Sequence, residues 1–147
     1  AMLIASIYVA CRLSNIPKKI NDFLEFTTIS KKKIARCYRL IINELKINLR
    51  ASSPVNFIPR FCAELKLSGT TQNKAAELLK LAKKHHLTEG KAPSGLAGAA
   101  LYLAALQAGE RRTQKEISLT AGVTEATIRN RYKELINGIN LEKELIA

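Results

Sequence analysis

The stretch "TQKEISLTAGVTEATIRNRYKEL", residues 113–135, sets two short apolar-periodic runs around a glycine. Thr113 followed three residues later by Glu116 has the form of a capping box, which opens a short helix to about Thr120. Gly122 stands where a tight turn belongs. Thr124 then caps a longer helix, and Val123 can staple onto its Ile128. On a helical wheel Ile128, Tyr132, Leu135, Ile136 and Ile139 share one stripe. Ala126, Thr127, Asn130 and Lys133 point away from it, with Arg129 and Arg131 at the flanks. These are the parts of a helix–turn–helix, expected over residues 113–137. The rival reading is two ordinary core helices whose charges face water.

The same stretch has an earlier counterpart. Displacing the sequence by 94 residues lays "ASIYVACRLSNIPKKINDFLEF" on "AALYLAALQAGERRTQKEISLT", and "ISKKKIARCYRLIIN" on "VTEATIRNRYKELIN", without a gap. Identities include Ala5/Ala99, Tyr8/Tyr102, Ala10/Ala104, Ile34/Ile128, Tyr38/Tyr132, Ile42/Ile136 and Asn43/Asn137. Asp22/Glu116, Ile29/Val123 and Ser30/Thr124 are conservative pairs, so caps and apolar positions are kept together. This is an internal repeat, and it governs the whole reading.

Caps and period place the remaining elements. Ser53 before Pro54 predicts a helix to about Leu67, proline being tolerated at the first position. Thr70 or Thr71 begins the next, to about His86, with Ala75, Leu78, Leu79 and Ala82 on one face. Pro93–Ser94 opens a small-residue helix to about Gln107. In the first copy Ser30, with Ile29 and Ile34, is expected to repeat the cap and staple. No useful run alternates with period two, so the fold is expected to be all-α. Residues 1–50 then form three helices of a first repeat, 51–53 a linker, 54–140 a five-helix second repeat, and 141–147 a tail. Because Ala1 aligns with Gly95, the first repeat is expected to lack two opening helices, leaving its core face partly uncovered.

The composition narrows the class of partner. The chain has 147 residues, 47% of them apolar, enough to bury a core. Its formal charge is +12, divided as +7 over residues 1–53 and +5 over 54–147. Such an excess favours nucleic acid or an acidic partner. Cys11, Cys37 and Cys62 are widely spaced in apolar helical patterns. They read as free thiols in a reducing compartment, with no C-x-x-C from which to draw a zinc site. "AMLIASIYVAC" and "LAGAALYLAAL" fall well short of the ~20 apolar residues that span a bilayer. A soluble protein inside the cell, with no membrane association, is therefore expected.

The outer face of the last long helix offers a methyl at Ala126, a hydroxyl at Thr127, an amide at Asn130, and cations at Arg129, Arg131 and Lys133. Such groups match thymine methyls, base edges and phosphates. Gln114 supplies the polar start of the support helix, with Arg111, Arg112 and Lys115 beside it. In the first copy Thr27–Thr28 replaces the glycine turn, and Lys31, Lys32, Lys33 and Arg36 are displayed instead. That pattern suits an acidic or phosphate-bearing surface, with a solvated face as the bland alternative.

Two such repeats, the second ending in a helix–turn–helix, resemble the core of archaeal transcription factor B, the counterpart of eukaryotic TFIIB. "ASIYVACRLSNIPKKI", "SKKKIARCYRLI", "NFIPRFCAELKLS", "LTEGKAPSGLAGAALYLA" and "ERRTQKEISLTAGVTEATIRNRYKELI" carry the likeness over nearly the whole chain. The resemblance implies two cyclin-like repeats that clamp TATA-binding protein on a bent TATA box and recruit RNA polymerase. It also implies that the final long helix enters the major groove at the upstream B recognition element. By that likeness Arg129 contacts a base, and Ala126 takes the place of an apolar contact that is typically valine. Lys91 and Ser94, at a helix start, would touch the DNA backbone. Lys32 would face the acidic rim of TATA-binding protein with Arg36 one turn on, whereas Asn43 stands where some relatives have a second lysine. The family's zinc ribbon has no counterpart here, so no cofactor is expected.

No carboxylate pair, phosphate-cradling loop or nucleophile motif is present, and His85–His86 read as surface residues at a helix end, so catalysis is not expected. The main rival is a cyclin-like protein–protein adaptor that does not read DNA, to which the +12 charge and the glycine turn would be superfluous. A stand-alone repressor would have no need of the first repeat with its own basic cluster.

Overall fold

In a computed structural model, residues 1–139 are described, and the expected tail over 141–147 lies outside them. The described residues form eight α-helices and one 3-10 turn, with no strand. They fall into two compact units that divide between Ser52 and Ser53.

The first unit holds α1 (Met2–Leu13), α2 (Asn21–Leu24) and α3 (Lys31–Glu44). Ala5, Val9 and Ile34 are its buried residues. Tyr8 packs between two elements, 5.1 Å from the Tyr38 ring and 6.2 Å edge-on to Phe23. The backbone N–H of Lys19 donates to Asp22 at 3.0 Å, a reduced form of the box predicted ninety-four residues later. Ser30 occupies the N-cap of α3, but its side chain makes no cap hydrogen bond. The expected copy of the Thr124 cap is therefore positional only.

The second unit continues with a 3-10 turn (Pro54–Phe57), α4 (Ile58–Leu65), α5 (Gly69–Lys84), α6 (Pro93–Gln107), α7 (Gln114–Ala121) and α8 (Glu125–Ile139). The single helix predicted from Pro54 is broken in two. Pro59 has no N–H to donate to a carbonyl four residues back, so the first turn tightens to 3-10 and the α-helix restarts at Ile58. The next helix begins earlier than predicted, because Ser68 caps it by accepting from the Thr71 N–H at 3.3 Å. The small-residue helix spans Pro93–Gln107 as the sequence indicates.

Helix α6 is the axis of this unit. Eleven of its residues are buried, from Ser94 to Ala105. A helix this apolar on every side must be surrounded, and the 3-10 turn with α4, α5, α7 and α8 does so. Burial reaches zero exposure at Leu101, Leu103, Ile117 and Ile128, each worth roughly 1.5–3 kcal/mol of transfer free energy.

The repeat persists in three dimensions. Tyr102 and Tyr132 pair at 5.0 Å, matching Tyr8 and Tyr38. Beyond α1 and α6 the chain turns at left-handed Asn15 (φ 54°) and Gly109 (φ 74°), again ninety-four residues apart. Each is followed by a backbone bond to the last helical turn, Ile16 to Cys11 and Glu110 to Ala105. Burial is where the copies diverge. Leu96, Ala97 and Leu101 are buried, while the matching Met2, Leu3 and Ile7 on α1 are exposed.

Candidate nucleic-acid interface

Helices α7 and α8 are locked by short-range chemistry. The Thr113 N–H donates to Glu116 at 2.7 Å, and the Glu116 N–H donates back to the Thr113 hydroxyl at 3.1 Å. Those bonds hold the Glu116 carboxyl below the usual glutamate range, the Thr113 N–H first and its hydroxyl second. Gly122 ends α7 at φ 61°, a left-handed conformation that glycine adopts without steric cost. The turn closes as the Val123 N–H donates to the Ser118 carbonyl at 3.1 Å. Thr124 then starts α8, its hydroxyl accepting from the Thr127 N–H at 3.2 Å.

Close approach to α6 sets the position of this pair. A Cβ at Gly98 would stand 2.7 Å from the Ile128 Cδ1 and 3.2 Å from the Ala121 Cβ. Only hydrogen fits there. With Ile117, Ala121, Ile128 and Leu135 buried beneath, the opposite face of α8 is turned outward. Ala126, Arg129, Asn130 and Lys133 are exposed there, with Glu125 at the tip and Lys115 exposed on α7. Among the described residues no carboxylate pairs with Arg129, Lys133 or Lys115.

The first unit displays a different surface. Lys31, Lys32, Lys33 and Arg36 are all exposed at the start of α3. Ser30, Lys32, Lys33, Arg36 and Arg39 line one shallow hollow. Lys31 lies roughly 100° round the helix from Lys32 and does not line it. Among the described residues this stripe has no acidic partner.

The transcription factor TFIIB repeat model matches residues 1–44 and again residues 47–138. The chain belongs to the TFIIB repeat family. Among similar proteins, a transcription initiation factor IIB of Pyrodictium occultum is 50% identical over 96% of this chain and 46% of its own length. Those of Archaeoglobus fulgidus and Methanosarcina mazei are 48% and 46% identical over 94% of this chain, and 42% and 41% of theirs. The chain thus spans less than half the length of these relatives. The two matched segments are the two copies of the repeat, and the all-α, cyclin-like expectation agrees with them.

In this TFIIB-repeat chain the residues singled out from sequence separate into two groups. Ala126, Arg129, Asn130 and Lys133 share the outward face of α8, while on α7 Lys115 is exposed and Gln114 half-buried. The others are engaged elsewhere. Arg112 donates from Nε to the Leu65 carbonyl at 3.0 Å and from Nη2 to the Lys66 carbonyl at 3.3 Å, closing the end of α4. Lys91 and Arg131 both reach Glu134, Lys91 at 2.7 Å. Ser94 is buried in the first turn of α6. Thr127 does not point away as the wheel implied. Its methyl stands 3.1 Å from where a Cβ at Gly95 would lie, and its hydroxyl bonds Thr124 at 2.9 Å.

Three residues with definite roles were not among the sequence candidates. Glu110 accepts from the Ser68 N–H at 3.2 Å and the Ser68 hydroxyl at 2.9 Å, and from the Thr71 hydroxyl. The Thr71 hydroxyl first, then Ser68, holds its carboxyl below the ordinary range. Glu134 joins the loop before α6 to α8. Arg39 continues the stripe of Lys32 and Arg36, and its i, i+4, i+7 spacing was the available signal. Burial, with Glu110 nearby, pushes the Cys62 thiol up to about 11, so it is an inert core group. Among the described residues no cluster of His, Cys, Asp and Glu could hold a metal, and no helix is long and apolar enough to cross a membrane.

Proposed function

We propose that this chain acts in transcription initiation as the promoter-gripping part of a TFIIB-type factor. In this reading α8 enters the major groove beside a TATA box, and the α3 stripe faces the acidic rim of TATA-binding protein. RNA polymerase is then recruited to the assembly, on chromosomal DNA in the cytoplasm of an archaeal cell. The reading assigns no catalysis and no cofactor. The observation that carries it is the outward face of α8, where Arg129, Asn130 and Lys133 are exposed while Arg112, Lys91 and Arg131 are taken up by the protein itself.

The division of labour follows from chemistry. Arg129 and Asn130 carry donors suited to purine edges, Ala126 offers a methyl-sized contact, and Lys133 and Lys115 suit phosphates. With Lys133 and Lys115 as the phosphate contacts, DNA binding alone is weak and falls with salt at a log–log slope of about −2. A gel-shift titration with and without TATA-binding protein, on promoters with and without the upstream element, tests the proposal. The expected result is tighter binding when both are present. Equal affinity under all four conditions would reject it in favour of an adaptor that does not read DNA.

A further inference from the structure

The chain carries twice as many cations as anions, yet one anion, Glu134, sits on α8 between two cations. Lys91 Nζ and Arg131 Nη1 converge on the same oxygen of Glu134, Oε2, at 2.7 and 2.5 Å. The cluster is neither sealed nor fully open, with Lys91 22%, Arg131 28% and Glu134 41% exposed. Both cations can therefore be approached by an outside anion, and both are engaged until one arrives.

The internal repeat supplies an independent comparison. Ninety-four residues earlier, Arg131 corresponds to Cys37 and Glu134 to Leu40. The first unit builds the same helix pair, with the same tyrosine contact, and has neither the arginine nor the acid at those positions. The acid and the arginine are thus not needed to form that helix pair.

We infer that Glu134 is an internal competitor for the DNA backbone, withholding Lys91 and Arg131 from phosphates so that recognition stays with Arg129, Asn130 and Lys133. The inference rests on the proposed DNA-reading role of α8. Its physical basis is that phosphate contacts add affinity without sequence information, so two more freed cations would raise binding to every duplex alike. Holding them on a carboxylate preserves the difference between matched and mismatched sites.

The test compares Glu134→Gln with Glu77→Gln, a substitution at an exposed position on α5 that changes net charge equally. Salt dependence is measured on a duplex with the upstream element, on a scrambled duplex, and on immobilised heparin as a plain polyanion. Glu134→Gln is expected to steepen the log–log slope by about 1.8, the value for two added phosphate contacts, and to lower the matched-to-scrambled affinity ratio. Glu77→Gln should leave both unchanged. Adding Lys91→Ala and Arg131→Ala to Glu134→Gln should return the slope to its starting value.

An unchanged slope and ratio in a Glu134→Gln protein with a normal thermal melt would overturn the inference. So would a flatter slope on Lys91→Ala alone, because the lysine would then already be on the DNA. If the parent chain shows no preference between duplexes, the promoter reading fails. The heparin slopes still decide whether Glu134 withholds the two cations.

Discussion

Arg112 donates from Nε to the Leu65 carbonyl oxygen at 3.0 Å, across 47 residues of sequence. Helix α4 ends at Leu65, so the guanidinium satisfies carbonyls that have no partner inside the helix. Two residues earlier Glu110 receives the N–H and hydroxyl of Ser68, at the start of α5. The segment after α6 therefore clasps both sides of the α4–α5 corner, acid to N-terminus and base to C-terminus, as the helix dipoles favour. Arg112→Ala is expected to destabilise the second unit by about 1.5–3 kcal/mol, the scale of hydrogen bonds to a charged group. Urea denaturation measures this. An unchanged midpoint with weaker DNA binding would return Arg112 to the interface.

Gly98→Ala tests the seat of α8. The added methyl meets Ile128 and Ala121 in a fully buried contact and should cost about 1–3 kcal/mol through overpacking. Ile128→Val removes the nearest atom and should restore part of that loss in the double variant. Failure of the rescue in denaturant melts would show that α6 and α8 do not meet at this point.

Arg129→Ala should leave stability within about 0.5 kcal/mol, because the side chain is exposed and has no acidic partner among the described residues. Binding to the preferred duplex should weaken by about 1–3 kcal/mol and base preference should relax. Fluorescence anisotropy on matched and scrambled duplexes reads both. Equal losses on the two would assign Arg129 to the backbone.

Lys32→Glu should reduce assembly with TATA-binding protein on a promoter while leaving binding to isolated DNA nearly intact. Arg39→Glu should do the same, since both side chains line one hollow, whereas Lys31→Glu, outside it, should have a smaller effect. A supershift titration separates the three.

Acid sensitivity should be a property of the second unit. Glu110, Glu116 and Glu134 are all held below the usual range, by the Thr71 hydroxyl, the Thr113 N–H and Lys91 respectively as the main causes. A carboxyl whose folded pKa lies below its unfolded one adds stability above the unfolded value, roughly 4.3, and loses it as pH falls through the folded value. Thermal midpoints should be level from neutral pH to about 5 and drop below that. Glu110→Gln should reduce the drop, and an identical acid limb in that variant would remove Glu110 from the account.

Much of this molecule is written locally. The Thr113–Glu116 box, the glycine turn at 122, the Thr124 cap and the apolar stripe of α8 all act within about one or two helical turns, so residue spacing alone conveys them. The ninety-four-residue repeat related the elements of the first unit to those of the second, and the structure adds that the matched tyrosines pair in both. Tertiary structure alone decided which cations face solvent. Arg112 finds the α4 carbonyls, Lys91 finds Glu134 and Ser68 finds Glu110, each across some forty residues. No periodicity records such a pairing, because it depends on how helices stack around α6 rather than on the turn to which each residue belongs. The same stacking sank Ser94 into the core and turned the Thr127 methyl towards Gly95, leaving a narrower outward face than the sequence displays.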